Sequence, residues 1–288
     1  MNKIKLAHGT SAFLMAVCSN LALQFIAVVF LIGLEGEALD LGNYIFMGLL
    51  QIANIAIGVT ILKRAGVKKE ELLLAPNVKN TAISALVLIM TLVSAYMLVI
   101  WTNYALDVIG VKSGSVRVDG YFVVLALITT GVLAPIGEET IYRLLLLNGL
   151  REKFSDFVAV LLSALAFALM HFNPYQTVYQ IFFGIVLALV VIKTNNVIYS
   201  IIMHSLNNVI VVLLALLPSF DAYLISHIGL LVVAFALVAV GIVGIFFVFK
   251  AWKTKKVERE KSKGKQGVSY YIIAIVVCVI MWVLNFIA

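Results

Sequence analysis

The sequence predicts an all-α fold, a polytopic bundle of about eight or nine transmembrane helices. Three observations carry that reading. Hydrophobic residues make up 63% of the 288 positions and charged residues only 12%, against about a quarter charged in an average soluble domain. Mean hydropathy is +1.11. The apolar residues fall into runs of spanning length, roughly 20 residues for a helix rising about 1.5 Å each.

Taken in order, the runs are 11–34, 43–62, 81–102, a long one over 121–150, then 156–172, 174–193, 196–218, 222–250 and 270–288. The first is too long for a cleaved leader and reads as a span. The connectors set the orientation. With the N-terminus cytoplasmic, the acidic connector holding Glu35, Glu37 and Asp40 lies outside, and residues 103–120 lie outside with balanced charge. Lys63, Arg64, Lys68 and Lys69 then lie inside, as do Arg151, Lys153, Lys193 and the basic segment 250–266. Every basic connector lands on one side, as the positive-inside rule requires. The net charge of +7 is therefore a record of membrane topology and lipid contact. It does not point to nucleic acid. Cys18 and Cys278 sit in apolar runs at opposite ends of the chain and suggest neither a disulfide framework nor a thiolate metal site. Trp101 and Trp282 read as aromatic-belt residues near span ends, His8 and His227 as interfacial, and Asp156 as a helix N-cap.

Charge intrudes on the apolar runs at residues 138–143, "EETIYR". An ionisable group inside a span is a functional hypothesis by default. On a helix Glu139 and Arg143 are four apart and share a face, with the glutamate on the favoured N-terminal side. Glu138 points about 100° away, and the residue four beyond it is Tyr142. One carboxylate is thus paired and the other free, and a carboxylate without a counter-ion becomes a stronger base away from water. The competing reading places the segment in the headgroups, with Pro135 and Gly137 ending the helix.

Two further intrusions bear on that choice. "FALMH" ends in His171 and is followed by Asn173-Pro174, a turn signal. "HSLNN" begins with His204 and places Asn208 on the same face. Measured from the cytoplasmic helix ends, Glu138 lies roughly 18 Å up, His171 roughly 24 Å, and His204 and Asn208 roughly 12 and 18 Å. Three helices bring polar groups to similar levels near mid-membrane, if 121–150 is one long helix, tilted or kinked.

In order, "EETIYR", "FALMH" and "HSLNN" fit the signatures EExxxR, FxxxH and HxxxN. The chain here resembles the CPBP family of intramembrane proteases, the prenyl-protein CAAX endopeptidases and bacteriocin-processing enzymes also called the Abi family. The resemblance covers about 121–210. Gly184 matches a glycine usual before the final histidine, whereas Ala188 stands where a second is often found. The resemblance implies a buried catalytic cavity, with 1–120 as N-terminal helices, 121–210 as the catalytic core and 211–288 as C-terminal helices with the basic loop 250–266. It implies that Glu138 and His171 activate the attacking water, that His204 and Asn208 bind the scissile carbonyl and its oxyanion, and that Glu139 and Arg143 form a structural ion pair. General base and fixed donors are the parts that such chemistry needs.

Two histidines and a glutamate also match a zinc site with one open position, and its ligands would be Glu138, His171 and His204. There is no HExxH, and the expectation is glutamate activation without a fixed metal. The expected substrate is a small peptide or a prenylated protein, and the expected place is a plasma membrane. Two other classes compete. A non-catalytic scaffold with an immunity or regulatory role should have lost one of Glu138, His171 or His204, and none is lost. A proton-coupled carrier should show repeated halves with matching broken helices, and none is found.

Overall fold

The structure is a computed structural model and describes residues 3–68, 75–110, 117–216, 228–253 and 267–287. These residues form nine helices and no strand: α1 (Leu6–Leu31), α2 (Gly36–Arg64), α3 (Val78–Val108), α4 (Phe122–Lys153), α5 (Asp156–Leu169), α6 (Pro174–Thr194), α7 (Val197–Leu214), α8 (Ile228–Ala251) and α9 (Val268–Ile287). Each answers to one of the apolar runs. Seven are long and apolar enough to cross a membrane; α5 and the stretch Phe235–Ala251 of α8 are apolar but shorter. The protein is a polytopic helical membrane bundle. The start of the run at 222–227, His227 and residues 254–266 of the basic loop lie outside the described residues.

The centre of the bundle is α4. It packs against α1, α2, α5, α6 and α7, and from Ile141 to Arg151 every residue is buried. A helix apolar all round is one enclosed by others. It is also irregular. Two wide π-type segments, Leu127–Leu133 and Thr140–Leu147, flank a short α segment, Ala134–Glu139. Pro135 accounts for the first, because it has no N–H for the carbonyl of Gly131 four residues back. The carbonyls that the wide turns release find other donors. Asn148 Nδ2 donates to the carbonyls of Arg143 (3.0 Å) and Leu144 (2.9 Å), and Asn208 Nδ2 on α7 donates to that of Thr130 at 2.9 Å. Buried backbone groups without water need such partners.

The ends of the bundle differ in charge. At one end Lys3 Nζ donates to the carbonyl of Gly66 beyond α2, Lys5 pairs with Glu152 at the end of α4, and Lys193 at the end of α6 donates to the carbonyl of Trp252 beyond α8. The basic helix ends therefore meet on one side. At the opposite end Arg117 bridges Asp119 and Glu37; the carboxylate of Asp119 holds the guanidinium above its usual pKa. Between α4 and α5 the N-cap is Ser155, which accepts from Val158 N at 3.3 Å. Asp156, expected as the cap, is the first helical residue and is gripped by Arg151 at 2.7 and 3.1 Å. His8 is in the first turn of α1, where its Nδ1 accepts from the backbone of Lys5.

Candidate active site

The polar groups gather where α2, α4, α5 and α7 meet. Glu138 and Glu139 end the α segment at the middle of α4. Glu139 is fully buried, and its Oε1 serves two partners: Arg143 Nη1 at 3.1 Å and His204 Nδ1 at 2.9 Å. Arg143, also fully buried, lies with its guanidinium carbon 4.0 Å from the centre of the Phe167 ring, a cation–π contact that replaces some of the lost hydration. With a carboxylate as acceptor, His204 Nδ1 is the donor, which fixes the tautomer and turns Nε2 outward. That Nε2 faces Glu138 Oε2 at 3.8 Å, beyond a direct hydrogen bond. Glu138 keeps 13% of its side chain exposed, and its Oε1 accepts from Gln51 Nε2 on α2 at 3.0 Å.

His171 is not on α5. The helix ends at Leu169, and Phe172 takes a left-handed backbone with φ 49°. Asn173 then caps α6 by accepting from Tyr175 N, with Pro174 first in the helix. The His171 ring is half-buried, with Nδ1 on the carbonyl of Phe167 at 2.8 Å. Its other nitrogen is free of that bond, and Glu138 and His204 lie within electrostatic reach. The Phe167 ring joins the parts: it meets His171 edge-on at 5.0 Å, His204 at 5.7 Å and Tyr142 at 5.4 Å. Asn208 lies one turn beyond His204. Its amide is held by the carbonyl of Thr130, and its Oδ1 accepts from Asn207, which also reaches Tyr179.

The structure thus brings Glu138, Glu139, Arg143 and His204 into one connected group, sets His171 beside it and anchors Asn208 on the neighbouring backbone. Sequence reasoning passed over Gln51, Asn54 and Asn148, and took Phe167 only as the first residue of the FxxxH signature. The first two carried a signal, two polar residues three apart in the run 43–62. The zinc reading needs Glu138, His171 and His204 to converge. Among the described residues no three His, Cys, Asp or Glu side chains are placed to hold a metal; the bond of His204 Nδ1 to Glu139 leaves Nε2 as its open nitrogen.

Fold and site together define a class: a multi-span helical protein whose central helix carries a carboxylate–arginine pair joined by an imidazole from α7 inside the bundle. A comparison with known families bears on this segment. Residues 120–210 match the family model described as type II CAAX prenyl endopeptidase, Rce1-like, and this is the CPBP family. The matched segment holds all three signatures and the whole of the connected group. No curated protein and no solved structure matches the chain.

Proposed function

We propose that the protein is a CAAX-type intramembrane endopeptidase in which Glu138 and His171 activate water and His204 and Asn208 receive the scissile carbonyl. The observation that carries this reading is the posture of Glu138. It is the carboxylate of the pair that no arginine neutralises, it is partly open, and a histidine held from behind by Glu139 faces it.

Each residue then has a task. Glu138 takes a proton from water as the water oxygen bonds to the carbonyl carbon, with His171 orienting the water. The oxyanion is met by Nε2 of His204, which donates when the imidazole is protonated, and by the Asn208 amide. With His204 protonated, Glu138, Glu139, Arg143 and His204 sum to zero charge, a neutral cluster in an apolar surrounding. As the tetrahedral intermediate collapses, the C–N bond breaks and the amine leaves with the proton that Glu138 took. Substrates are small peptides or membrane-associated proteins, prenylated ones included. The basic face of the bundle lies in the cytoplasm with the N-terminus, in a plasma membrane.

The test is cleavage of a quenched fluorescent peptide library that includes prenylated CAAX peptides, by purified protein in detergent. Turnover should be lost in Glu138→Ala and in His171→Ala with the elution profile of the folded protein unchanged, and it should survive a zinc chelator. A parent inactive on every peptide, or variants as active as the parent, would favour the non-catalytic scaffold. Loss on chelation restored by zinc would assign the metal instead.

A further inference from the structure

The α2 helix contributes a polar pair that the three signatures do not contain. Gln51 and Asn54 are 7% and 3% exposed in the otherwise apolar stretch 45–59 of α2. Gln51 Nε2 donates to Glu138 Oε1 at 3.0 Å, and Asn54 Nδ2 donates to Gln51 Oε1 at 3.2 Å. The order of these bonds matters. An ionised carboxylate only accepts, so the carboxamide must present its NH₂ end to Glu138. Asn54 occupies the opposite end and opposes a turn of the amide, which would set a carbonyl oxygen against the carboxylate. The backbone is shaped for this contact as well. A Cβ on Gly137 would come within 2.8 Å of Gln51 Oε1 and 3.1 Å of the Gln51 carbonyl, so only glycine lets α2 approach the residue preceding Glu138 this closely.

The consequence concerns the two carboxylate oxygens. Oε1 is tethered to α2, while Oε2 faces His204. We infer that Gln51, oriented by Asn54, is a positioning residue for the hydrolytic reaction: it fixes the rotation of the Glu138 carboxylate so that Oε2 meets the water. This rests on the reading of Glu138 as the base, and it adds a helix outside residues 120–210 to the working site. Freed from the tether, the carboxylate turns about its terminal torsion, which is soft, and the fraction correctly aimed falls. A lost positioning contact lowers kcat and leaves KM nearly unchanged.

Gln51→Met keeps the length and removes the donor; Gln51→Glu sets an acceptor against an acceptor. On a prenylated CAAX peptide, kcat should fall about tenfold or more in Gln51→Met and further in Gln51→Glu, with KM within about twofold of the parent. Gln51→Met added to Glu138→Gln should have no further effect. A second readout needs no substrate. The infrared carboxylate band that disappears in Glu138→Gln should shift in Gln51→Met, because it loses a hydrogen bond. If Gln51→Met does not fold, Asn54→Leu, which leaves Gln51 free to turn, is read in both ways. A purely structural role would lower thermal stability while kcat per folded molecule and the band stay at parent values, and that result overturns the proposal. A parent without peptidase activity sinks the protease reading, and the infrared band then still decides whether Gln51 holds Glu138.

Discussion

Among the described residues Arg143 and Glu139 are charged side chains fully withdrawn from water, and the arginine is the larger. Its guanidinium, fully removed from water, meets the Glu139 carboxylate at 3.1 Å and the face of the Phe167 ring. Burying a pair costs several kcal/mol of hydration per ion, and breaking it leaves an uncompensated charge. Arg143→Met should therefore destabilise the bundle by about 3–5 kcal/mol, because Glu139 then stays buried without its arginine. The double change Arg143→Met with Glu139→Gln should recover part of that loss. Thermal unfolding in detergent reads both. Equal stability of Arg143→Met and parent would mean that the pair carries no weight. Glu139 is the more informative partner, since the same oxygen that neutralises Arg143 also holds His204. Its neighbour Glu138 differs by a rotation of about 100° on the helix, and that rotation separates the shielded carboxylate from the open one.

At the scale of elements, α5 and α6 set the position of His171. Gly184 makes their contact: a Cβ there would lie 3.2 Å from the Cα of Ala164 and 3.3 Å from the Phe167 ring. Gly184→Ala needs its neighbours to give by a few tenths of an ångström, whereas Gly184→Leu has to part the helices. Overpacking of this kind costs about 1–3 kcal/mol, and Phe167 moves with it, taking the edge that holds His171 and His204. Peptide turnover should drop more than tenfold in Gly184→Leu with helix content retained by circular dichroism. Unchanged turnover would show that the Phe167 contact does not position the histidines.

This scale also separates what the sequence discloses from what it hides. The spans were legible because bilayer thickness imposes a length and apolar runs announce it. The three intrusions were legible because charge and histidine stand out in such runs. The wide turns of α4 were not, since they go with a missing N–H at Pro135 and with side-chain donors, Asn148 a turn further on and Asn208 on α7. Gln51 and Asn54 were hidden for another reason: uncharged amides inside a span are ordinary packing contacts. His171 was expected within a span ending at 172; the left-handed Phe172 ends the helix earlier and leaves it in the turn.

For the whole molecule, the two charged ends and the apolar girdle fix the site's depth. Phe25, Phe30, Phe235 and Phe246 are among the exposed aromatic residues, and in a bilayer they meet acyl chains. Glu138 is near the middle of the 32-residue α4, so any water that it activates has to come through the bundle. Glu138 can act on water directly or become acylated itself, and an oxygen label found in its carboxylate would mark the second course. The decisive measurement is a single turnover of a cleaved prenylated peptide in ¹⁸O-water, followed by mass spectrometry of the product and of the enzyme peptide carrying Glu138. The account predicts one ¹⁸O in the new product carboxylate, none in Glu138, and a rate at least a hundredfold lower in Glu138→Gln. Label in the Glu138 carboxylate, or cleavage by Glu138→Gln at the parent rate, would contradict it.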